Sequence, residues 1–315
     1  MASTHEGAAG AQPIILTIDP ETGERARRDP ARPLLYFDDS AVERGDGIFE
    51  TILLHRGKPR NVERHERRFR RSAALLELPE PNLEHWRAAT REAVDLWRAE
   101  RGDADGRVKW LYSRGRAGTG RPSAWLTIQP VGENIYAQRD GGVRAMTTSR
   151  GYTIDEPASD AEPRPHWLSL GAKSLDYAAT QSAVRAAKRD GFDDVIFVDK
   201  GADPARVLEG ATSTLVTVTL GEGGGPGTLA TPAAAGDILP GTTKAAVFEH
   251  AEERGWECVD KEMTVDDLLA ADGVWLLSSV RLAVRVTNLD GRELPEPKGA
   301  GEIRRLFEAG LGVES

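Results

Sequence analysis

Residues 63–101 constrain this chain most. "ERHERRFRRSAALLEL" (63–78) sets Phe69, Ala73 and Leu76 at i, i+4 and i+7, and "NLEHWRAATREAVDLWRAER" (82–101) continues the helical stripe with Leu83, Trp86, Val94 and Trp97. Two amphipathic helices in succession must bury their apolar stripes against another layer. β-rich segments on both sides can supply it. "GIFETILLHRGKPRNV" (47–62) reads as a strand, a turn at Arg56-Gly57 and a second short strand, and "RVKWLYSRG" and "SAWLTIQPV" read as strands around a glycine-rich link. With the β-rich "IILTID" at 14–19, residues 14–130 form a small α+β unit with its helices grouped.

Residues 131–142, "VGENIYAQRDGG", are polar and glycine-containing, which predicts an interdomain linker. A larger α/β unit over 143–315 follows, with mixed strands. Its helices are "YAATQSAVRAAKRDG", closed by Gly191, and "GTTKAAVFEHAEERG", closed by Gly255. "GVWLLSSVRLAVRV" is two strands, or one bent at Ser278-Ser279. Residues 1–13 lack the basic and apolar regions of a signal peptide and read as a flexible tail. The formal charge of -9 opposes nucleic acid and anionic membrane as partners, and no apolar run is long enough to span a bilayer. The single cysteine, Cys258, fits a reducing, cytoplasmic setting. The scattered histidines form no metal-ligand pattern.

Four stretches carry potential chemistry. In "LSLGAKSLDY", Lys173 ends a β-like run among apolar and small residues; it is a surface lysine beside a turn or a nucleophilic amine. In "ARVLEGATSTLVTV", Glu209 is a solvated turn residue or the partner of a buried cationic nitrogen. "NVERHERRFRRS" is rich in arginine, mostly a solvated helix face, but an inward arginine near Phe69 can grip a phosphate through a bidentate fork. "GDILPGTTKAAVF" (236–248) resembles a nucleotide-binding P-loop, except that Thr242 and Thr243 precede Lys244 instead of following it. Its helix start favours an anion all the same, unless one of these threonines merely caps the helix.

In this order the pieces resemble the fold-type IV pyridoxal-phosphate enzymes, the class IV aminotransferases. The matching blocks are "RGDGIFET", "HERRF", "KSLDYAATQSAVRAAKRDGFDDVIFVD", "LEGATST", "ILPGTTKAAVFEHAEERG" and "GVWLLSSVRLAVRV", spread over roughly 34 to 290. The resemblance implies a two-domain fold like that of D-amino-acid aminotransferase, pyridoxal 5'-phosphate at the domain interface and a homodimer. By position it implies that Lys173 carries the cofactor and Glu209 pairs with the pyridine nitrogen. Arg68, the last residue of an H-x-x-R pattern begun by His65, would bind the phosphate with Thr242, Thr243 and Ser279.

Within the family, branched-chain aminotransferases tend to have arginine where Lys109 stands. D-amino-acid aminotransferases carry an R-x-H pair that is missing between Arg114 and Trp125. The K-x-x-x-S-R-G pattern from Lys109 to Gly115 looks most like the 4-amino-4-deoxychorismate lyases, which release pyruvate and leave 4-aminobenzoate for folate or specialised biosynthesis. That likeness implies Thr51 as a helper in proton transfer and Lys109 and Arg114 as contacts for substrate carboxylates. A transaminase on the same scaffold, or a non-catalytic protein retaining the fold, are the alternatives. Three departures touch the substrate side: Arg44 where relatives have an aromatic residue, and Asp176 and Thr214 where asparagine is common.

Overall fold

The computed structural model describes residues 12–152, 171–234 and 238–313. The expected tail therefore lies almost wholly outside the described residues, as do the residues preceding Gly171 in the lysine segment and Gly236-Asp237 of the P-loop-like stretch.

The first sheet has the order β2-β1-β6-β5-β3-β4. Its strands are β1 (Ile14–Ile18), β2 (Arg25–Arg27), β3 (Gly47–His55), β4 (Lys58–Pro59), β5 (Gly106–Ser113) and β6 (Ser123–Pro130). Helix α1 (Ser40–Glu43) precedes β3, and α2 (Val62–Leu75) and α3 (Leu83–Arg101) lie between β4 and β5. Arg56 and Gly57 both take positive φ, 50° and 68°, the twist that a two-residue hairpin turn needs. The apolar stripes of α2 and α3 cover one face of this sheet. Phe69 meets Trp86 edge-on at 4.9 Å and Trp110 at 5.7 Å, in a core that also holds Ile48, Ile52 and Val108. The alternate residues of β3 and β5 point the other way: Phe49, Thr51, Arg107 and Lys109 all line the cleft described below.

The second sheet runs β12-β11-β10-β13-β14-β7-β8-β9, with β15 paired to β14. It comprises β7 (Val143–Ser149), β8 (Asp194–Asp199), β9 (Arg206–Gly210), β10 (Thr214–Thr219), β11 (Thr228–Pro232), β12 (Glu257–Lys261), β13 (Gly273–Ser278), β14 (Leu282–Leu289) and β15 (Arg292–Glu293). Helices α5 (Ala178–Arg189), α6 (Thr242–Glu252), α7 (Val265–Ala270) and α8 (Ala300–Gly310) accompany it. β13 and β14 are separate antiparallel strands, and the chain turns between them at 279–281.

Residues 131–142 are not an extended connection. Nine of them form helix α4 (Glu133–Gly141), and Val131, Ile135 and Tyr136 pack into the apolar cluster that contains Phe248, Trp275 and Phe307. Leu53 of β3 joins the same cluster, so the two sheets share a core at this end.

Candidate active site

Segment 173–175 returns to the first sheet and adds a short bridge to the edge of β3. The Phe49 amide donates to the Lys173 carbonyl at 3.0 Å, and the Leu175 amide donates to the Gly47 carbonyl at 2.8 Å. The Lys173 amide donates to Ser72 Oγ of α2 at 3.0 Å. The lysine's main chain is thus pinned between β3 and α2. Its Nζ donates to Tyr177 Oη at 3.2 Å and stands 4.6 Å from the centre of the Phe49 ring. Lys109 Nζ approaches the same ring at 5.4 Å. Register sets Lys109 directly opposite Thr51. Burial lowers the Lys109 pKa, and the charges of Arg107 and Lys173 push it in the same direction.

Across the cleft, α6 begins without a side-chain cap. Its N-cap is Gly241, so neither Thr242 nor Thr243 caps the helix, and both are buried. The first amides of a helix have no intrahelical acceptor, which leaves this end ready for an anion. Thr243 Oγ1 and Ser279 Oγ are 3.5 Å apart, and Ser279 Oγ is 3.3 Å from His65 Nε2. Arg68 reaches the same end, donating from Nη1 to the Pro240 carbonyl at 3.0 Å. Lys244 turns away to Asp260 at 3.0 Å, so this start lacks the P-loop's lysine.

Behind Arg68 lies a buried acid. Glu50 is fully enclosed in β3; its carboxylate accepts from Arg68 Nε at 2.8 Å, from Arg68 Nη2 at 2.7 Å and faces His65 Nδ1 at 2.7 Å. Burial alone would raise its pKa, but the charges and hydrogen bonds of Arg68 and His65 outweigh it and hold the carboxyl at about 2. Burial lowers the pKa of His65 despite the opposing pull of Glu50. The fork of Arg68 is thereby fixed in orientation.

These groups border one cleft of about 790 Å³, lined by Thr51, Arg68, Lys109, Lys173, Glu209, Thr242, Thr243 and Ser279. Glu209 is the penultimate residue of β9, and its Oε1 accepts from the Leu239 amide at 3.4 Å. Arg114 is the exception. Its guanidinium bonds Asp46 Oδ2 at 2.6 Å and the Leu76 carbonyl at 2.6 Å, clamping the entry of β3 to the end of α2 outside the cleft lining. The structure thus holds Arg114 in a clamp and does not bring it into the cleft lining. Conversely, sequence reasoning passed over Glu50, Phe49, Tyr177 and Arg107. Period-2 alternation along β3 offered a signal for Glu50, since it falls on the inward side with Ile48 and Ile52.

A family model described as amino-transferase class IV matches residues 47–289. The chain belongs to this family. It is a pyridoxal-phosphate-dependent enzyme with the fold-type IV architecture. A curated relative from Mycobacterium tuberculosis, described as a bifunctional aminodeoxychorismate lyase / D-amino acid transaminase, is 41% identical, covering 95% of this chain and 99% of its own. The PLP-bound form of a hypothetical aminotransferase from Mycobacterium tuberculosis superposes with TM-score 0.84 at 39% identity, covering 95% of this chain and 99% of that one. The fold IV transaminase CpuTA1 from Curtobacterium pusillum has TM-score 0.82 at 36% identity, with coverage of 94% and 98%.

The donors present fit a phosphorylated pyridine aldehyde. An uncapped helix start, a guanidinium and two hydroxyls at one end suit a dianionic phosphate. An amine and a carboxylate suit the aldehyde and the ring nitrogen.

Proposed function

We propose that the chain is a 4-amino-4-deoxychorismate lyase, which eliminates pyruvate and leaves 4-aminobenzoate. One observation carries this reading: Thr51 and Lys109, cross-strand partners on β3 and β5, line the same cleft as Lys173, and the amines of both lysines approach the Phe49 ring. A hydroxyl and a cation thus share the cleft with the amine. The lyase activity in the Mycobacterium tuberculosis relative's description supports it, and because that description also includes D-amino acid transamination, we propose transamination as a second activity.

Bound pyridoxal phosphate supplies an electron sink for the bond broken next to the substrate nitrogen. In this reading Arg68, Ser279, Thr243 and the first amides of α6 hold its phosphate. Glu209 keeps a proton on its ring nitrogen. Lys173 would hold the cofactor's aldehyde end, and its amine would take the proton from the ring carbon bearing the substrate amine. Thr51 orients the Lys173 amine for this transfer, and Lys109 holds a substrate carboxylate. As the ring becomes aromatic the C–O bond to the enolpyruvyl group breaks. The proton removed from the ring ends on the departing group's methylene, giving pyruvate, so the atoms balance without water.

We further propose a cytoplasmic homodimer. The lone Cys258, whose thiol burial pushes up to about 11, is suited to a reducing compartment. The test of function is a paired assay on the purified holoenzyme. Pyruvate and 4-aminobenzoate are expected in equal amounts from aminodeoxychorismate, with slower amino transfer from a D-amino acid to a keto acid. Transfer without release of 4-aminobenzoate would sink the lyase reading and leave the transaminase.

A further inference from the structure

The cleft is positive inside an acidic chain. Six cationic side chains line it (Arg68, Arg107, Lys109, Arg150, Lys173 and Arg281) against the carboxylates of Asp176 and Glu209, although the whole chain carries -9. Arg68 is neutralised by Glu50, and Arg281 pairs with Asp194. Arg107 and Lys109 differ: no ion pair joins either to a carboxylate among the described residues. They stand two apart on β5 and so project from the same face of the sheet into the cleft. Arg107 Nη2 donates to Gln129 Oε1 on the neighbouring strand, where register sets the two residues opposite each other, and this steadies the guanidinium. Its Nε is buried and has no hydrogen-bond partner among the described residues. Buried donors without partners are rare because they forfeit their hydration, and a ligand oxygen would restore the lost bond. Two like charges side by side repel, a push that adds to burial in lowering the Lys109 pKa, and an anion between them relieves the repulsion.

We propose that Arg107 is a specificity-determining residue of the cleft. With Lys109 it holds a substrate carboxylate remote from the reacting amine, selecting dicarboxylate substrates over monocarboxylate ones. The inference rests on the reading of the cleft as a pyridoxal-phosphate site whose Lys109 faces substrate, but not on which reaction follows.

Calorimetric titration of the holoenzyme with glutarate and with butyrate, neither of which has an amine or keto group to react, tests it. The wild-type protein is expected to bind glutarate at least about tenfold more tightly than butyrate, the size of one charge-assisted hydrogen-bonded contact. Arg107→Met should bring the ratio to about one while butyrate affinity stays within about twofold, and Arg107→Lys should restore part of the preference. The visible band of bound cofactor reports an intact cleft in each variant. Should the methionine variant lose that band, Arg107→Gln, which keeps a polar partner for Gln129, carries the same comparison. A wild-type protein without preference for glutarate, a neutral variant that keeps the preference, or equal weakening of both ligands would each overturn the proposal. Absence of 4-aminobenzoate in the paired assay would remove the lyase reading and leave this comparison untouched.

Discussion

Glu50 shows how one buried charge organises a site it does not line. A carboxylate enclosed in a sheet is costly unless its oxygens are all engaged, and Arg68 and His65 engage them. Glu50→Ala should cost about 3–5 kcal/mol, because it strands a buried guanidinium, and should weaken cofactor retention in step. Denaturant unfolding and cofactor release on dilution measure the two effects. The pH dependence has a definite sign. The folded pKa of Glu50, about 2, lies below its ordinary 4.5, so its stabilisation is complete above about pH 5 and is lost as pH falls from 4.5 toward 2, on the order of 3 kcal/mol. His65, lowered below its ordinary 6.5, acts the same way: its protonation on the acid side costs the folded state. Glu50→Gln should flatten the stability profile between pH 4.5 and 3; a profile parallel to wild type would show that the carboxylate carries no such linkage. Lys173, Glu209, Arg68 and the α6 threonines could be named from sequence because each sits in a short ordered block. For Glu50 the only signal was the period-2 alternation of β3, because its partners His65 and Arg68 lie 15 and 18 residues on, in α2. The clamp on Arg114 leaves no local sequence pattern, because Asp46 lies 68 residues earlier.

At the scale of elements, the site depends on how closely segment 173–175 approaches β3. Gly47 makes that approach possible. A Cβ there would stand 2.7 Å from the Tyr112 carbonyl oxygen, 2.8 Å from Leu175 Cδ1 and 2.9 Å from Ser113 Cα. Two of these neighbours are backbone atoms of β5 and cannot rotate aside. Gly47→Ala should therefore push the lysine segment outward, costing about 1–3 kcal/mol in stability and lowering the fraction of protein that forms the visible cofactor band. A variant with a normal melting temperature and a full band would contradict this account of the strand edge. Helices and strands of the first sheet were legible because Phe69, Trp86 and Trp97 keep helical spacing and the hairpin turn has its positive-φ glycine. Helix α4 was not: "ENIYAQRDG" is polar nearly all round, and only its packing beside Val131 onto the second sheet's core makes it a helix. The short strands β12 and β15 gave no alternation of their own and depend on neighbours for definition.

At the scale of the whole molecule, exposed large apolar side chains outside the cleft gather at one place among the described residues. Tyr36 is 63% exposed, Phe37 81% and Val42 59%, all around α1. The segment is firmly mounted. Asp39 is buried and accepts from the hydroxyls of Ser113 at 2.8 Å and Ser123 at 2.6 Å, while Arg116 pairs with Asp38 and lies 4.2 Å from the Tyr36 ring centre. A rigid mount for exposed aromatic side chains is the mark of a surface built to be covered, since mobile loops need no such anchoring and monomers rarely leave such patches bare. The mount is tied to the ends of β5 and β6, so a second copy seated here would also brace the strand that carries Arg107 and Lys109. The homodimer we propose should form through this face. Phe37→Asp would put a charge at its most exposed aromatic position and raise the dimer dissociation constant at least about thirtyfold. Sedimentation velocity across a concentration series measures this directly. A wild-type protein that sediments as a monomer, or a Phe37→Asp variant that remains as dimeric as wild type, would move the interface elsewhere or remove it. If the dimer braces β5, the monomeric variant should in addition lose the preference for glutarate over butyrate while retaining its cofactor band.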